Sequence, residues 1–476
     1  MFDFGVIDNL AKESPKEIAY IDESRVLTFA DLNSYTRKIA TVLEARGIKR
    51  EQVVLVMLPP FHNWLFSLAL HRMGVTVFSL FNLDALGAEI AADQYIGFEK
   101  HPQLDENRNI ICDVNLEARI AEAQELEHFS GYSSAKSLAR LFSTSGTTGS
   151  SRYISVTYGD LDFYVDRKGS ADYFGVEPIL SLYPFGAGQT LRAALKSLRS
   201  GKPYLSCAFL DWRLPKFVQE HHIRTIIGSP VQIAKFLDLQ EQSGTELPEV
   251  QTLIMGGSRP TSQLISRIQS RLSCRIVNAY GSTEANNIAS EVIENSLSSG
   301  LEINTSGVLQ IVDEKDIPLT DGLVGRIRYR TPGMALEYFN NPEASQINFK
   351  EGFFYPGDYG YINTAGKLEL KGRTDEVINL GGERISPHVI EEIVLAQLGV
   401  LDCAAFPIAL NNGVEGAAVA IVTNDEYAEE YFKKALRAKS PAVVSEIFHV
   451  SQIKRNENGK ILRDELRRQY ALRNNQ

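Results

Sequence analysis

The sequence predicts an α/β protein with a large N-terminal domain on a mostly parallel sheet, a β-rich subdomain and a small C-terminal α+β domain. Two observations lead to this class. Amphipathic helices alternate with short buried strands through most of the chain, as in parallel sheets whose faces are covered by helices. From about Gly307 the pattern changes to short strands such as GRIRYRT and GKLELKGR. At 476 residues, the chain has room for two or three domains.

The alternation begins near the N-terminus. Apolar residues recur at helical spacing in TFADLNSYTRKIATVLEARGIK, which predicts a helix with Thr28 or Asp31 as its N-cap and Gly47 as its end. A buried strand, QVVLVML, follows. The next helix is NWLFSLALHRMG, and the next strand is VTVFSLF.

The same alternation returns in the middle of the chain. A strand is predicted in HIRTIIGSP and a helix in VQIAKFLDLQEQSG, followed by the strand VQTLIMGG, which stops at two glycines. The pattern then predicts a helix in TSQLISRIQSRLSC and a strand with a polar end in RIVNAYGSTE. The apolar runs are short, as expected for buried strands between helices.

The last hundred or so residues form a second α/β segment. A helix is predicted in SPHVIEEIVLAQLG, with Ser386 as N-cap and Pro387 at its first position. Strands are predicted in VLDCAAFPI and GAAVAIVT, and a helix in DEYAEEYFKKALRAK. We place the boundary near Asp375, which gives domains of residues 1–374 and 375–476.

Composition and charge exclude several classes of protein. The net charge of −10 disfavours nonspecific binding to nucleic acid, which depends on cationic contacts to phosphate. The four cysteines are widely separated and have no metal-ligand spacing, as in a reduced cytosolic protein. The N-terminus lacks the features of a signal peptide, and the apolar runs are too short to span a bilayer. We therefore expect a cytoplasmic protein without stable membrane insertion.

The motif TSGTTG, from Thr144 to Gly149, has the composition of an anion-binding loop. Its glycines permit close backbone approach, its hydroxyls are donors, and its N–H groups can converge on a phosphate. A Walker loop is excluded because Ser150, not lysine, follows Gly149, and because YISV predicts a strand rather than a helix. The alternative is a polar surface turn. Arg152 adds a positive charge three residues after the motif.

The motif NAYGSTEANN combines groups that suit a nucleotide. Tyr280 offers a flat face for a base, and Gly281 allows a ligand to approach the backbone. Thr283 offers a hydroxyl, and Glu284 a hard carboxylate oxygen suited to Mg²⁺. Taken alone, the motif is equally compatible with a structural strand end.

Two further motifs lie in the last third of the chain. Asp358, in a Gly–Asp–Tyr–Gly turn, could accept two hydroxyl hydrogen bonds, as from a ribose, although such turns are common. Arg373 could pair with phosphate or ribose, or be a solvated charge. Lys460 follows a loop in NGKILRDEL, where a lysine is ordinarily surface charge.

Together, the order and content of these four motifs resemble the adenylate-forming superfamily of acyl-CoA synthetases, peptide-synthetase adenylation domains and beetle luciferases. The resemblance extends from LTFADLN to NGKILRDEL. It implies a large N-terminal domain of layered sheets and a small mobile C-terminal domain. It also implies two half-reactions. A carboxylate attacks the α-phosphate of ATP to give an acyl-adenylate and pyrophosphate, and a thiol of CoA or phosphopantetheine then displaces AMP.

The resemblance assigns roles to individual residues. Thr283 should touch the α-phosphate, and Glu284 should help to hold Mg²⁺. Lys460 matches the family's C-terminal lysine, whose charge would offset the repulsion between the acid and the α-phosphate. The residues implied to bind ATP are Thr144, Ser145, Gly146, Thr147, Thr148, Gly149, Gly257, Ser258, Tyr280, Gly281, Ser282, Asp358 and Arg373.

The resemblance also implies that the small domain rotates between the half-reactions. Asp375 occupies the hinge position, and after rotation Gly381 and Gly382 would flank the thiol channel. The residues expected in the acid pocket are Phe185, Gly186, Gly228, Ser229, Gly256 and Gly281.

The chain departs from the family at two places. Ser151, Arg152 and Tyr153 stand where the family has Pro–Lys–Gly; arginine keeps the charge and adds a planar fork for phosphate oxygens. In LSLYPFGAGQTL, small residues follow Phe185, which leaves room for a bulky or flat acid. This segment has no acidic residue to receive an α-ammonium group, which disfavours an amino acid substrate.

The sequence therefore predicts an ATP-dependent acid–thiol ligase that activates a fatty or aromatic acid and transfers it to CoA. The alternative is a stand-alone adenylation enzyme that loads an aryl, fatty or amino acid onto the phosphopantetheine arm of a separate carrier protein. A luciferase-like oxygenase and a nucleotide-binding protein without turnover are further alternatives. The acid, the thiol acceptor and the oligomeric state are left open.

Overall fold

The helices of the computed structural model follow the predicted alternation. The structure describes residues 2–80, 92–144, 152–165, 177–207, 210–294, 296–297, 300–374, 376–380, 383–409, 415–424, 427, 429, 444–456 and 459–474. Its helices are α1 Val6–Glu13, α2 Phe29–Ala45, α3 Pro60–Arg72, α4 Val114–Glu122, α5 Leu161–Val165, α6 Gly188–Arg199, α7 Leu214–Glu220, α8 Pro230–Ser243, α9 Ser262–Arg271, α10 Pro342–Asn348, α11 Pro387–Leu395 and α12 Arg463–Asn474. The predicted helix in DEYAEEYFKKALRAK falls mostly outside the described residues.

Helix starts use the capping residues that the sequence offers. Thr28 accepts a hydrogen bond from the Asp31 backbone, and the Asp31 side chain accepts one from the Thr28 backbone, so both expected residues take part. Ser229 forms the same reciprocal cap with Gln232 at the start of α8. Ser386 occupies the N-cap position of α11 as predicted, but its side chain makes no capping bond.

The strands form five sheets in the described part of the chain. Those up to residue 303 are β1 Ile18–Ile21, β2 Val26–Thr28, β3 Val53–Met57, β4 Thr76–Ser79, β5 Gln94–Gly97, β6 Asn109–Ile111, β7 Leu138–Thr144, β8 Arg152–Thr157, β9 Ile179–Ser181, β10 Tyr204–Leu205, β11 Thr225–Gly228, β12 Thr252–Gly256, β13 Arg275–Ser282, β14 Asn286–Ile293 and β15 Glu302–Ile303. The others are β16 Val308–Val312, β17 Gly325–Arg330, β18 Phe349–Lys350, β19 Phe353–Phe354, β20 Asp358–Ile362, β21 Leu368–Arg373, β22 Ile378–Leu380, β23 Glu383–Ile385, β24 Val400–Ala409, β25 Glu415–Thr423 and β26 Glu446–His449.

Two large, mostly parallel sheets build the N-terminal part. One has the order β6-β5-β3-β4-β7-β8, in which only β7 and β8 are antiparallel. The other has the order β15-β14-β13-β12-β11-β9-β10-β1-β2, parallel from β13 to β1. The largest apolar core joins side chains from both sheets to α2, α3 and α6, with Trp64 among its largest members. This arrangement confirms the predicted layered, mostly parallel fold.

The change of pattern near Gly307 corresponds to an antiparallel sheet of β16 to β21. Beyond it, β24, β25 and β26 form a smaller sheet that packs against α11 and α12. Within the described ranges, no helix combines the length and the hydropathy that a membrane span requires. The boundary at Asp375 stays a prediction, because that residue lies outside the described part of the chain.

Candidate active site

A cleft of about 1690 Å³ opens at the carboxyl ends of β12 and β13. The carboxyl edge of a parallel sheet is where open α/β folds bind ligands. The wall also includes residues from the antiparallel sheet and from the segment before α12. The predicted site residues that line it are Thr144, Arg152, Gly186, Gly256, Gly257, Ser258, Tyr280, Gly281, Ser282, Thr283, Glu284, Asp358, Arg373 and Lys460.

Three predicted residues that the structure describes do not line this cleft. Phe185 is buried behind its wall, with its ring edge-to-face against Trp64 at 5.9 Å between centroids. Gly228 ends β11 beside Leu182, and Ser229 is occupied in capping α8. Eight predicted residues lie outside the described part of the chain: Ser145, Gly146, Thr147, Thr148, Gly149, Asp375, Gly381 and Gly382.

Asp358 forms the centre of a buried polar group in the cleft. The Tyr280 hydroxyl donates to Asp358 Oδ2 at 2.6 Å, and an Arg373 nitrogen lies 3.7 Å from Oδ1. The antiparallel register places Asp358 directly opposite Arg373. Burial raises the pKa of Asp358, while Arg373 and the Tyr280 hydrogen bond act in the opposite direction. The carboxylate is thus oriented by a phenol on one side and a guanidinium on the other.

Glu284 and Arg152 both contact Tyr338. The Tyr338 hydroxyl donates to Glu284 Oε1 at 2.8 Å, and the Arg152 guanidinium lies 5.3 Å from the centre of the Tyr338 ring. Arg152 also donates to Asn348 Oδ1 at 3.0 Å. Its place follows from β8, where it lies opposite Thr144 at the end of β7. Burial and the nearby Glu284 carboxylate raise the pKa of Tyr338.

Lys460 reaches the cleft from a tight turn before α12. Its backbone N–H donates to Asn456 Oδ1 at 2.9 Å, and Gly459 has a φ of +79°. A β-carbon on Gly459 would lie 2.6 Å from Ser229 Oγ, so only glycine fits where this turn contacts the start of α8. Lys460 and Asp358 both line the cleft, and the Lys460 charge opposes the rise that burial causes in the pKa of Asp358.

Glu376 connects the cations at this end of the cleft. One oxygen lies 3.9 Å from Lys460 Nζ and 4.0 Å from Arg373 Nε, and the other lies 3.1 Å from Arg463. Arg463 also contacts the buried Glu391 carboxylate at 2.5 Å. These contacts hold Lys460 among paired charges rather than in open solvent.

Sequence reasoning missed Tyr338, Asn348, Glu376 and Arg463. Of these four residues, only Glu376 could have been selected from the sequence, because it directly follows the predicted hinge residue Asp375. Arg463 lies three residues after Lys460, but its carboxylate partners are distant in sequence. Tyr338 and Asn348 lie in no motif, and their contacts with Glu284 and Arg152 depend on how the sheets meet.

The side chains that line the cleft suit a nucleotide and a hard cation. Asp358 offers an acceptor for hydroxyl groups, and Tyr280 and the backbone at Gly257 and Ser258 line the same cleft. Glu284 provides a carboxylate oxygen, a ligand that Mg²⁺ prefers, and Thr283 provides a hydroxyl donor for a phosphate oxygen. Arg152, Arg373 and Lys460 supply positive charge for phosphate.

Comparisons with known proteins show the family and the fold of the chain. A family model described as an AMP-binding enzyme matches residues 7–339. The chain is 23% identical to a 4-chlorobenzoate–CoA ligase of Arthrobacter sp, with 96% of this chain and 93% of that protein covered. It is 24% identical to a 2-succinylbenzoate–CoA ligase of Bacillus subtilis, with 96% of each covered. The solved structure of a Bacillus subtilis o-succinylbenzoate CoA synthetase in complex with ATP and magnesium ion is similar, with a TM-score of 0.83, 20% identity and 97% and 99% of the two chains covered.

Proposed function

Because the chain belongs to the AMP-binding enzyme family, we propose that it uses ATP to convert a carboxylic acid to an acyl-adenylate, and then transfers the acyl group to CoA. The products of the first step are the acyl-adenylate and pyrophosphate. The observation that carries this proposal is that Glu284, Asp358 and Lys460, from three distant segments, line one cleft. The similarity to CoA ligases over nearly the whole chain supports CoA as the acceptor.

Asp358 and Tyr280 orient the nucleoside in this proposal. The ionised Asp358 carboxylate accepts hydrogen bonds from the ribose hydroxyls, while Arg373 and Tyr280 hold it in place. Gly257 and Ser258, which follow β12, offer backbone groups beside the base. Because these groups hold the nucleoside in one position, its α-phosphate lies within reach of Lys460.

Lys460 stabilises the charge that develops during adenylation. A carboxylate must approach a polyanionic triphosphate, and a fixed ammonium between them lowers that repulsion most in the transition state. Glu376 and Arg463 position the segment that carries Lys460. Glu284 would hold Mg²⁺, which would neutralise phosphate charge, and the Thr283 hydroxyl would donate to the α-phosphate.

The acid occupies the apolar part of the cleft beside α6. Its walls include Gly186, Ala187, Ile227, Ile254 and Ala279. These side chains are small or aliphatic, so they fit a flat aromatic ring or an alkyl chain. This supports an aryl or fatty acid as the substrate class.

The movement of the C-terminal part is a further element of the proposal. We propose that residues 375–476 rotate relative to residues 1–374 about Asp375 between the two half-reactions. Gly381 and Gly382 would then flank the thiol channel. A separate carrier protein with a phosphopantetheine arm is the alternative acceptor for the second half-reaction.

Acid-dependent exchange of pyrophosphate into ATP, over a panel of aryl, fatty and amino acids, tests the first half-reaction. We expect exchange with at least one aryl or fatty acid, and then consumption of free CoA with release of AMP. Exchange with no acid would contradict the proposal. Exchange without CoA consumption, but with loading of a supplied carrier protein, would favour the carrier alternative.

Arg152→Lys should raise the KM for ATP by about two- to fivefold, because lysine keeps the charge but loses the guanidinium stacking on Tyr338. The hydrogen bond to Asn348 is lost as well. Arg152→Met, which removes the charge, should raise the KM by about tenfold or more. Pyrophosphate exchange at varied ATP concentration measures both. Wild-type values in both variants would remove Arg152 from ATP binding.

A further inference from the structure

Three side chains of metal-ligating type meet at one edge of the sheet β6-β5-β3-β4-β7-β8, outside the cleft. His62 is near the start of α3, Cys112 directly follows β6, and Glu117 is in the first turn of α4. One ligand atom from each of the three residues lies within 4.8 Å of the other two. None of these residues lines the cleft that contains Glu284, so they form a separate cluster.

The topology of the sheet brings these three segments together. The neighbouring strands β3, β5 and β6 are parallel, so their carboxyl ends lie at the same edge. Because α3 follows β3 and α4 follows β6, both helices begin at this edge. The Cys112 backbone N–H donates to the Gly97 carbonyl at 2.8 Å, and Asp113 caps α4 by accepting from the Leu116 backbone at 2.8 Å. The fold therefore fixes the backbone on both sides of the thiol.

Cys112 is the most buried member of the cluster. Its exposure is 4%, and burial together with the Glu117 and Asp113 carboxylates raises the pKa of its thiol to about 11. The same two carboxylates attract a cation. A metal ion removes the proton from a thiol that it binds, so a cation here would offset the repulsion between the thiolate and the carboxylates.

His62 provides an imidazole that the protein leaves incompletely bonded. Its Nε2 lies 3.4 Å from Glu117 Oε1, and its Nδ1 is buried without a hydrogen-bond partner among the described residues. Burial and the charge of Arg25 lower the pKa of the imidazole, which favours the neutral form that binds metals. Arg25 is paired with Asp22 at 3.2 Å, so its charge is partly compensated.

The chemistry of the three ligands favours zinc. A thiolate, an imidazole and a carboxylate together suit Zn²⁺, whereas Mg²⁺ and Ca²⁺ prefer oxygen ligands alone. Zinc binds such atoms at about 2.0 to 2.3 Å in a tetrahedron, which places them about 3.3 to 3.8 Å apart. The Glu117 side chain is 55% exposed, so it can rotate to close the set. Its exposed side also gives the ion a route of entry and leaves the fourth position to water.

We propose that His62, Cys112 and Glu117 bind one Zn²⁺ ion, which ties the start of α3 to the end of β6 and the start of α4. The ion also supports the wall of the cleft. Asn63, the next residue of α3, accepts a hydrogen bond from Ser79 Oγ at 2.8 Å, and Ser79 lines the cleft. This zinc site is separate from the Mg²⁺ site proposed at Glu284, so the inference stands independently of the proposed function.

Titration of the full chain with Co²⁺ and then Zn²⁺ tests the site. The protein is treated with a chelator and desalted, and Mg²⁺ is then kept in excess to occupy Glu284. We expect one Co²⁺ per chain, with the near-ultraviolet absorption of a cobalt–thiolate bond, and its displacement by one Zn²⁺. Cys112→Ser should abolish this absorption and weaken Zn²⁺ binding by about 100-fold or more, since loss of a residue that merely supports a ligand costs about 10- to 100-fold. Zn²⁺ should raise the melting temperature of the wild type but not of Cys112→Ser.

His222→Gln and Cys274→Ser are the matched controls. His222 pairs with Glu249 at 2.7 Å, but among the described residues neither this pair nor Cys274 belongs to a group with three metal-ligating side chains. Both control variants should bind Co²⁺ and Zn²⁺ as the wild type does. A cobalt–thiolate absorption that Cys274→Ser abolishes, and Cys112→Ser does not, would overturn the inference.

Two further results would also overturn it. One is a wild-type protein without cobalt–thiolate absorption, and the other is an unchanged Zn²⁺ affinity in Cys112→Ser. If Cys112→Ser does not fold, Glu117→Gln is the second variant, because its position is largely exposed. It should keep the absorption and bind Zn²⁺ about tenfold more weakly, and an unchanged affinity would contradict the site. These measurements involve no acid or ATP, so their failure leaves the proposed function untouched.

Discussion

Lys460→Ala should slow formation of the acyl-adenylate by about 100- to 1,000-fold, which is the usual effect of removing one preorganised electrostatic group from a transition state. The KM values for acid and ATP should change much less, since the ammonium acts mainly where charge develops. Transfer of the acyl group from a supplied acyl-adenylate to CoA should keep nearly the wild-type rate. Pyrophosphate exchange measures the first half-reaction, and CoA consumption with added adenylate measures the second.

Lys454→Ala is the matched control for this variant. Lys454 is on the same C-terminal segment, but it is half exposed and pairs with Glu465 at the surface. Its removal should leave both half-reactions unchanged, as for other exposed ion pairs. If Lys460→Ala and Lys454→Ala behave alike, or if Lys460→Ala slows both half-reactions equally, Lys460 has no specific role in adenylation.

The surroundings of Lys460 explain why a lysine in a loop can act with this precision. Glu376 lies near Lys460, and its second oxygen contacts Arg463, which is itself held by the buried Glu391. Burial raises the pKa of Glu391, and the Arg463 charge and hydrogen bond oppose that rise. The turn is therefore tied to the small C-terminal sheet, and movement of that sheet would move the ammonium.

The candidate site could be predicted from sequence where its residues directly follow strands. Tyr280, Thr283 and Glu284 come at the end of an apolar run, and a run followed by polar residues is visible without a structure. The groups that orient them were not visible. Tyr338 reaches Glu284 across 54 positions, and Glu376 connects Arg373 to Arg463 only after the chain has folded.

The fold, like the site, could be predicted where it depends on residues close in sequence, but not where it depends on contacts between distant segments. Helix caps such as Thr28 and Ser229 depend on neighbours three residues away, so the pattern identifies helix starts. The order of strands does not follow from alternation. Tyr20 of β1 pairs with Tyr204 of β10, which places β1 and β2 at the edge of a sheet whose other strands begin at Ile179. Similarly, Phe185 is next to cleft residues in sequence but lies behind the wall, because Trp64 and Tyr204 enclose its ring.

Asp358→Asn should raise the KM for ATP by about 10- to 100-fold, because hydrogen bonds to a charged acceptor are stronger than those to a neutral amide. Deoxy analogues of ATP locate the effect. Wild type should lose affinity for 2′-deoxy- and 3′-deoxy-ATP, whereas Asp358→Asn should discriminate against them much less, since the bonds are already weakened. Asp321→Asn, at an exposed position, is the control and should behave as wild type. Additive effects of the variant and the deoxy analogues would contradict a ribose contact.

The pH dependence gives a second, independent test of Asp358. Burial raises the pKa of this carboxyl, so it should take up a proton at a higher pH than an ordinary aspartate as the solution is acidified. Only the ionised form accepts two hydroxyl bonds, so the wild-type KM for ATP should rise in that acidic window, and Asp358→Asn should lack that rise.

The folded state binds the Asp358 proton more tightly than the unfolded state, so ionisation of Asp358 lowers the free energy of unfolding as pH increases through the window. At neutral pH, Asp358→Asn should therefore be at least as stable as wild type while binding ATP far less well, which thermal unfolding without nucleotide would verify. A variant that binds ATP normally and unfolds more easily would instead assign Asp358 a purely structural role.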